Sequence, residues 1–319
     1  MPITDGCGSL YLGTFELCLY PGSNEVPADH AATAQAATAL VQPRNLSGAV
    51  SPSGRIVTLA LGMSTTQNVW WGKKPIAKKP MFAWTAQHDA TVNQTTLVIR
   101  NGARDGQTSQ NWTLTNGVGI ANYDRVDDSL AVWGLSPAQV QVVASLPLVR
   151  HPKKKVAGAV VYEPTLPHPG ANAYLMVRDL GNVARAIRTR WPNAQLWTLA
   201  GYMYGGYDGS GVVAEPYAYE SNLAVKWLIE AQIRQARTGK GDPLAGDLSP
   251  AVAPTILWGP YLWADGSTAR SDGLTWLPTD FEDGRHPGYN GTVKAVTLMM
   301  DYFKTEPWAT CWFLAGGSC

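Results

Sequence analysis

The chain has 319 residues, 45% of them hydrophobic and only 15% charged, with a formal net charge of +1. This composition excludes a disordered chain and leaves room for one large α/β domain or two small ones. The near-neutral balance argues against a nucleic-acid partner, because the lysine clusters (Lys73, Lys74, Lys78, Lys79 and Lys153 to Lys155) are punctuated by proline or short rather than spread along one helical face.

No apolar run approaches the roughly 20 residues that cross a bilayer, so no membrane span is expected. The opening Met1-Pro-Ile-Thr-Asp5 lacks the basic and apolar regions of a secretory leader. The four cysteines bear on the compartment. Cys7 and Cys18 stand near the start and Cys311 and Cys319 at the end, an even number at the chain's margins that suggests disulfides. Three pairings are possible; the two local ones are favoured because each would pin a terminus. The expectation is a secreted or periplasmic protein, with four unpaired thiols in a reducing compartment as the alternative.

In chain order, residues 1–54 are rich in Gly, Pro, Asn and Ala, with a turn at Tyr20-Pro-Gly-Ser-Asn24 and one short helix in Ala31 to Val41. They read as an N-terminal extension packed on a main domain of residues 55–319. There Ile56-Val-Thr-Leu-Ala-Leu61 is a short apolar run of the kind that forms a strand buried on both faces. Similar runs follow at Thr96 to Arg100, Val156 to Tyr162, Gln195 to Ala200 and Thr255 to Trp258. Between them, Ala173 to Arg190, Leu223 to Ala236 and Thr292 to Phe303 repeat apolar residues at three- and four-residue spacing and predict helices. The alternation predicts an α/β fold, a three-layer α/β/α sandwich around a five-stranded parallel sheet, with ligands collected at the carboxyl ends of its strands.

Three segments at such positions carry chemistry. Leu61-Gly-Met-Ser64 follows the first strand and would lift a serine hydroxyl to the sheet edge at the start of a helix; taken alone, Ser64 is better explained as a helix N-cap. Asn101-Gly-Ala-Arg-Asp-Gly106 follows the second strand, and its two glycines are either a turn or a backbone donor site, with Gly106 offering its N–H. Asp283-Gly-Arg-His286 precedes the last helix; a carboxylate three residues before an imidazole can hold its Nδ1–H and leave Nε2 to take a proton from serine, although an acidic surface loop would look similar.

Taken together and in this order, the segments resemble the conserved blocks of the SGNH (GDSL-like) hydrolase superfamily, so that the chain resembles a divergent member of it. Gly62 and Ser64 match the first block without its Asp and Leu, Asn101 to Gly106 match the second, and Asp283-Gly-Arg-His286-Pro287 matches the last fully. The resemblance implies a flavodoxin-like hydrolase fold, a Ser64–His286–Asp283 triad, and an oxyanion hole from the N–H groups of Ser64 and Gly106. The family's third block supplies an asparagine donor after the third strand, whereas here Tyr162-Glu-Pro-Thr165 follows that predicted strand; Asn172 and Asn222 are the nearest candidates.

Thirteen tryptophans are many for this length, and the cluster Trp258, Tyr261 and Trp263 after the fifth strand is a candidate substrate-binding wall for a sugar ring or acyl group. His30, His88, His151 and His168 lack metal-ligand spacing, so neither a metal nor a cofactor is expected. The reading is a cofactor-independent hydrolase of short-chain or carbohydrate-linked esters. The rival is a non-catalytic carbohydrate- or surface-binding protein on a degenerate scaffold. Oligomeric state is not legible.

Overall fold

A computed structural model describes residues 1–72, 81–317 and 319; Lys73, Lys74, Lys78 and Lys79 lie outside the described residues. The elements run β1 (Leu10–Tyr11), β2 (Phe15–Glu16), α1 (Ala28–Thr38), β3 (Ile56–Ala60), α2 (Ser64–Trp70), α3 (Phe82–Gln87), β4 (Leu97–Asn101), α4 (Gly117–Val132), β5 (Val140–Ser145), β6 (Lys153–Val156), β7 (Ala159–Tyr162), α5 (Asn172–Arg190), β8 (Leu196–Leu199), α6 (Tyr217–Thr238), β9 (Thr255–Trp258), α7 (Tyr289–Thr305) and α8 (Thr310–Phe313). Five strands form one sheet in the order β4-β3-β5-β8-β9, every pair parallel. The order reverses between β3 and β5, so the connecting helices go to both faces of the sheet, giving the expected α/β/α layering. On the helical layers α5 packs on α6, while α7 packs on α2, α3 and α8.

Strands β3, β5, β8 and β9 are buried at every residue, which is why β3, β8 and β9 read as short apolar runs. β9 is an edge strand, yet α1 and the first residues cover it: α1 lies against β8 and β9, and His30 Nε2 is 2.9 Å from the Ile256 carbonyl oxygen. The disulfides pair Cys7 with Cys18 and Cys311 with Cys319, the two local bridges. No helix among the described residues is long and apolar enough to cross a membrane.

The third strand of the sheet differs from expectation. Val156 to Tyr162 is not in the sheet; it belongs to the antiparallel hairpin β6–β7, exposed along most of its length. Ala157 and Gly158 connect the two arms with φ of 49° and 85°, the paired positive values of a two-residue hairpin turn, so the apolar run folds back on itself. Its place is taken by Val140-Gln-Val-Val-Ala-Ser145. Gln141 interrupts the apolar pattern there, but its side chain is buried at no loss of hydrogen bonding: Oε1 accepts the Gln42 N–H at 2.8 Å and Nε2 donates to the Gln42 carbonyl at 2.7 Å.

One buried carboxyl makes stability pH-dependent. Glu220, on α6, accepts the Leu166 N–H at 3.1 Å and the Tyr11 hydroxyl at 3.3 Å. Burial pushes its pKa up from 4.5 to about 7, helped by the charge of Glu215 and opposed by the two donors. Between about pH 4.5 and 7 the folded protein therefore keeps a proton that the unfolded chain has released, and stability falls as pH rises through that window. Glu220→Gln, a mimic of the protonated form, is expected to match the wild type at pH 4.5 and to exceed it at pH 8 by on the order of 3 kcal/mol in urea unfolding. An equal difference at both pH values would sink this assignment.

Candidate active site

The first loop of the site is built by close packing. After β3, the Leu61 N–H continues the ladder to the Ala144 carbonyl at 2.9 Å, and the chain then turns at Gly62. A Cβ at Gly62 would lie 2.2 Å from Thr66 Oγ1 and 3.2 Å from the Pro147 carbonyl oxygen, two atoms that are themselves hydrogen-bonded at 2.6 Å. Only glycine leaves room for that contact. Met63 follows in extended conformation and Ser64 opens α2, so the Ser64 N–H has no partner within its own helix.

The second loop hangs on the first. The Gly102 N–H donates to the Ala60 carbonyl at 2.8 Å, and the Gly62 carbonyl accepts from the Arg104 N–H at 3.1 Å and the Trp112 indole at 3.2 Å. This aligns Gly106 beside Ser64, both lining one cleft of about 330 Å³. Gly106 has φ of 69° with open space where a Cβ would sit, so its backbone conformation rather than crowding calls for glycine.

The third loop delivers the imidazole. His286 Nε2 lies 2.7 Å from Ser64 Oγ, and His286 Nδ1 lies 2.8 Å from Asp283 Oδ2. Asp283 Oδ1 also accepts the His286 N–H at 2.7 Å and the Arg285 N–H at 3.1 Å. Partial burial works to raise the Asp283 pKa, but these donors and the imidazole prevail and bring it down to about 2. An ionised carboxylate at Nδ1 fixes the ring so that its Nε2 lone pair faces the hydroxyl, an arrangement able to draw the serine proton. Tyr202 braces two of the loops, with its hydroxyl bonded to the Arg285 carbonyl and 3.5 Å from Thr65 Oγ1.

Other residues singled out from sequence lie elsewhere. Trp258, Tyr261 and Trp263 are buried and do not line the Ser64 cleft. The Trp258 indole donates to the Leu19 carbonyl at 2.8 Å, the Tyr261 hydroxyl accepts the Ile3 N–H at 3.1 Å, and the Trp263 indole donates to Glu215 at 2.9 Å. These aromatics hold the N-terminal segment and a buried carboxyl; a substrate wall is not what they build around Ser64. Asn172 donates to Glu163 at 2.7 Å and Asn222 to the Tyr202 carbonyl at 3.2 Å, and neither lines the cleft.

His151, unassigned from the sequence, does line it, as does Arg285. His151 lies six residues beyond β5, and its place at the sheet edge was hidden while the third strand was read at Val156 to Tyr162. The signal was Val140 to Ser145 behind Pro137, a buried strand whose carboxyl end points to the next polar side chains. Among the described residues no group of three or more His, Cys, Asp or Glu is placed to hold a metal ion.

The segment carrying His151 is clamped by its neighbour. Arg150 forms paired bonds to Glu163 at 2.8 and 2.9 Å and a further ion pair to Asp179, all three side chains being nearly buried. Those bonds hold the Glu163 carboxyl below its ordinary range against the opposing effect of burial.

Neither a scan of protein-family models nor a search of curated proteins finds a match. Solved structures with a similar arrangement include a candidate acylhydrolase from Bacteroides fragilis, 10% identical, with 84% of this chain and 92% of that one covered and a TM-score of 0.39. A carbohydrate esterase family 2 enzyme with a carbohydrate-binding domain from Corynascus thermopiles (Myceliophthora fergusii) is 12% identical, with 80% and 69% covered and a TM-score of 0.38. The chain also spans 63% of the length of a protein from Arabidopsis thaliana, 10% identical over 67% of this chain, at a TM-score of 0.33.

Removing the clamp is expected to cost stability. Arg150→Met leaves two carboxylates without their cation in a nearly dry setting, and about 3–5 kcal/mol should be lost in urea unfolding at neutral pH. A loss below ~1 kcal/mol would mean that the cluster contributes no more than an exposed ion pair.

Proposed function

We propose that this chain is a serine ester hydrolase of the SGNH type. The observation that carries the reading is the continuous line from Asp283 through His286 to Ser64, with contacts of 2.8 and 2.7 Å, at the carboxyl edge of a parallel sheet. Ser64 Oγ attacks the acyl carbon while its proton passes to His286 Nε2; Asp283 holds the ring and stabilises the imidazolium; the Ser64 and Gly106 N–H groups face the developing oxyanion. His286 then protonates the leaving alcohol, and water, activated by the same imidazole, releases the acyl group.

The cleft of about 330 Å³ suits a short acyl group, with the alcohol portion, a carbohydrate in the reading favoured here, extending past its rim. The two disulfides accord with work in an oxidising compartment.

A fluorophosphonate probe tests the reading directly. Intact-protein mass spectrometry should find one adduct, mapped to Ser64 and absent in Ser64→Ala; no adduct would transfer the assignment to a binding protein on the same scaffold. Asp283→Asn should leave the fold intact and lower kcat on a short-chain ester by about 10⁴-fold, because the imidazole would lose the partner that fixes its tautomer. Turnover within about tenfold of wild type would remove Asp283 from the mechanism.

A further inference from the structure

Attack on an ester moves the carbonyl π pair onto oxygen, and that oxygen needs donors aimed at where the charge develops. Ser64 and Gly106, whose N–H groups are the donors assigned above, line the cleft, and no asparagine is among the described residues that line it. We propose that His151 is a catalytic residue of this site, its Nε2–H serving as a third oxyanion donor. The inference rests on the hydrolase reading above and extends it to a residue outside the triad.

Four observations place it there. His151 follows β5, neighbour of β3 in the sheet, and shares one cleft with Ser64, Gly106 and His286. Its tautomer is fixed: Nδ1 accepts the Lys153 backbone N–H at 3.0 Å, and since that group only donates, the neutral ring carries its hydrogen on Nε2. Nε2 itself makes no hydrogen bond to the described residues of the protein, so it is available to a ligand. The backbone is held on both sides by one side chain, Gln110 accepting the His151 N–H at 2.9 Å and donating to its carbonyl at 3.3 Å, while Arg150 locks the preceding position.

Charge supports the neutral form. Burial lowers the His151 pKa first, and the positive charge of Lys153 and, least, that of Arg285 add to it, while the charge of Glu163 opposes. A neutral imidazole with its hydrogen on Nε2 donates and cannot accept there, which separates its role from that of His286. In the step itself the Ser64 Oγ–carbon bond forms, the proton goes to His286, and the new O⁻ accepts from Ser64 N, Gly106 N and His151 Nε2. On collapse the pair returns, the ester C–O bond breaks, and His286 protonates the departing alkoxide.

The test compares full-length wild type, His151→Leu and His151→Gln on p-nitrophenyl acetate, with fluorophosphonate labelling of Ser64 in parallel. His151→Leu should lose about 10²–10³-fold in kcat with KM little changed, and His151→Gln, whose amide N–H reaches close to the Nε2 position, should recover at least about tenfold of that loss. A leucine variant within about threefold of wild type in kcat, or a glutamine variant no better than leucine, overturns the assignment. Should the leucine variant fail to fold, His151→Asn decides: its amide falls one methylene short, so it should trail glutamine by about tenfold, and equality overturns the proposal. A wild type that neither turns over nor labels refutes the hydrolase reading and this one with it; a labelled wild type beside an unaffected leucine variant refutes this one alone.

Discussion

The place where the strand order reverses, between β3 and β5, is the constraint on which the site depends. The two strands run side by side in parallel, so their chains leave the sheet at the same edge, and the connections that follow must go to different faces. A crevice opens between the departing chains. Ser64 leaves from β3 on one side of it and the segment ending in His151 leaves from β5 on the other. Gly62 sets how narrow the gap is, because the hydrogen bond from Thr66 to the Pro147 carbonyl crosses it directly and tolerates no side chain at position 62. The geometry at the sheet edge is therefore a product of backbone packing before any polar side chain is considered.

Around that crevice, polar groups are fixed by other polar groups rather than left to solvent. Tyr202 ties the Asp283–His286 loop to the helix that begins at Ser64, Gln110 holds the His151 backbone, and Arg150 joins β7's exit to α5 through Glu163 and Asp179. Each contact holds a loop that would otherwise have several rotameric choices, and a site held by such secondary partners keeps its donors and acceptors aligned before substrate arrives. The cost is a set of buried charges whose balance depends on pH, as Glu220 and Asp179 illustrate on α6 and α5: burial pushes both carboxyls up.

Much of this was legible in the sequence where one physical rule dominated. Ile56 to Leu61, Gln195 to Ala200 and Thr255 to Trp258 read as strands because burial on both faces leaves them mostly apolar, and the apolar spacing over Ala173 to Arg190, Leu223 to Ala236 and Thr292 to Phe303 marks the helices, two of them short at their N-terminal ends. Ser64 and Gly106 after their strands and Asp283 and His286 before the last helix stand out only as a set, and the fold brings Ser64, Gly106 and His286 to one cleft with Asp283 bonded to the imidazole. Legibility failed where tertiary contacts overrode local pattern. Gln141 disguised β5, since nothing local shows that the Gln42 backbone satisfies its amide. The turn at Ala157-Gly158 disguised an exposed hairpin as a core strand. Trp258, Tyr261 and Trp263 looked like a binding wall because sequence cannot tell an aromatic facing substrate from one facing the chain's own N-terminal segment, as Trp258 and Tyr261 do, or a buried carboxyl, as Trp263 does.

The β6–β7 hairpin has a consequence of its own. It rises beside the cleft, joined to the loop carrying Val212 through Lys153 and the Ser210 carbonyl, while Val156, Val160 and Tyr162 stay open to solvent. None of its residues belongs to the central sheet, and its two-residue turn closes it without help from elsewhere. Such an appendage can be lengthened, shortened or recoloured by mutation with little penalty to folding, because no core residue depends on its tip. The molecule thus separates two kinds of constraint: a sheet edge whose packing leaves almost no position free to change, and a neighbouring ribbon whose exposed residues the core does not restrict.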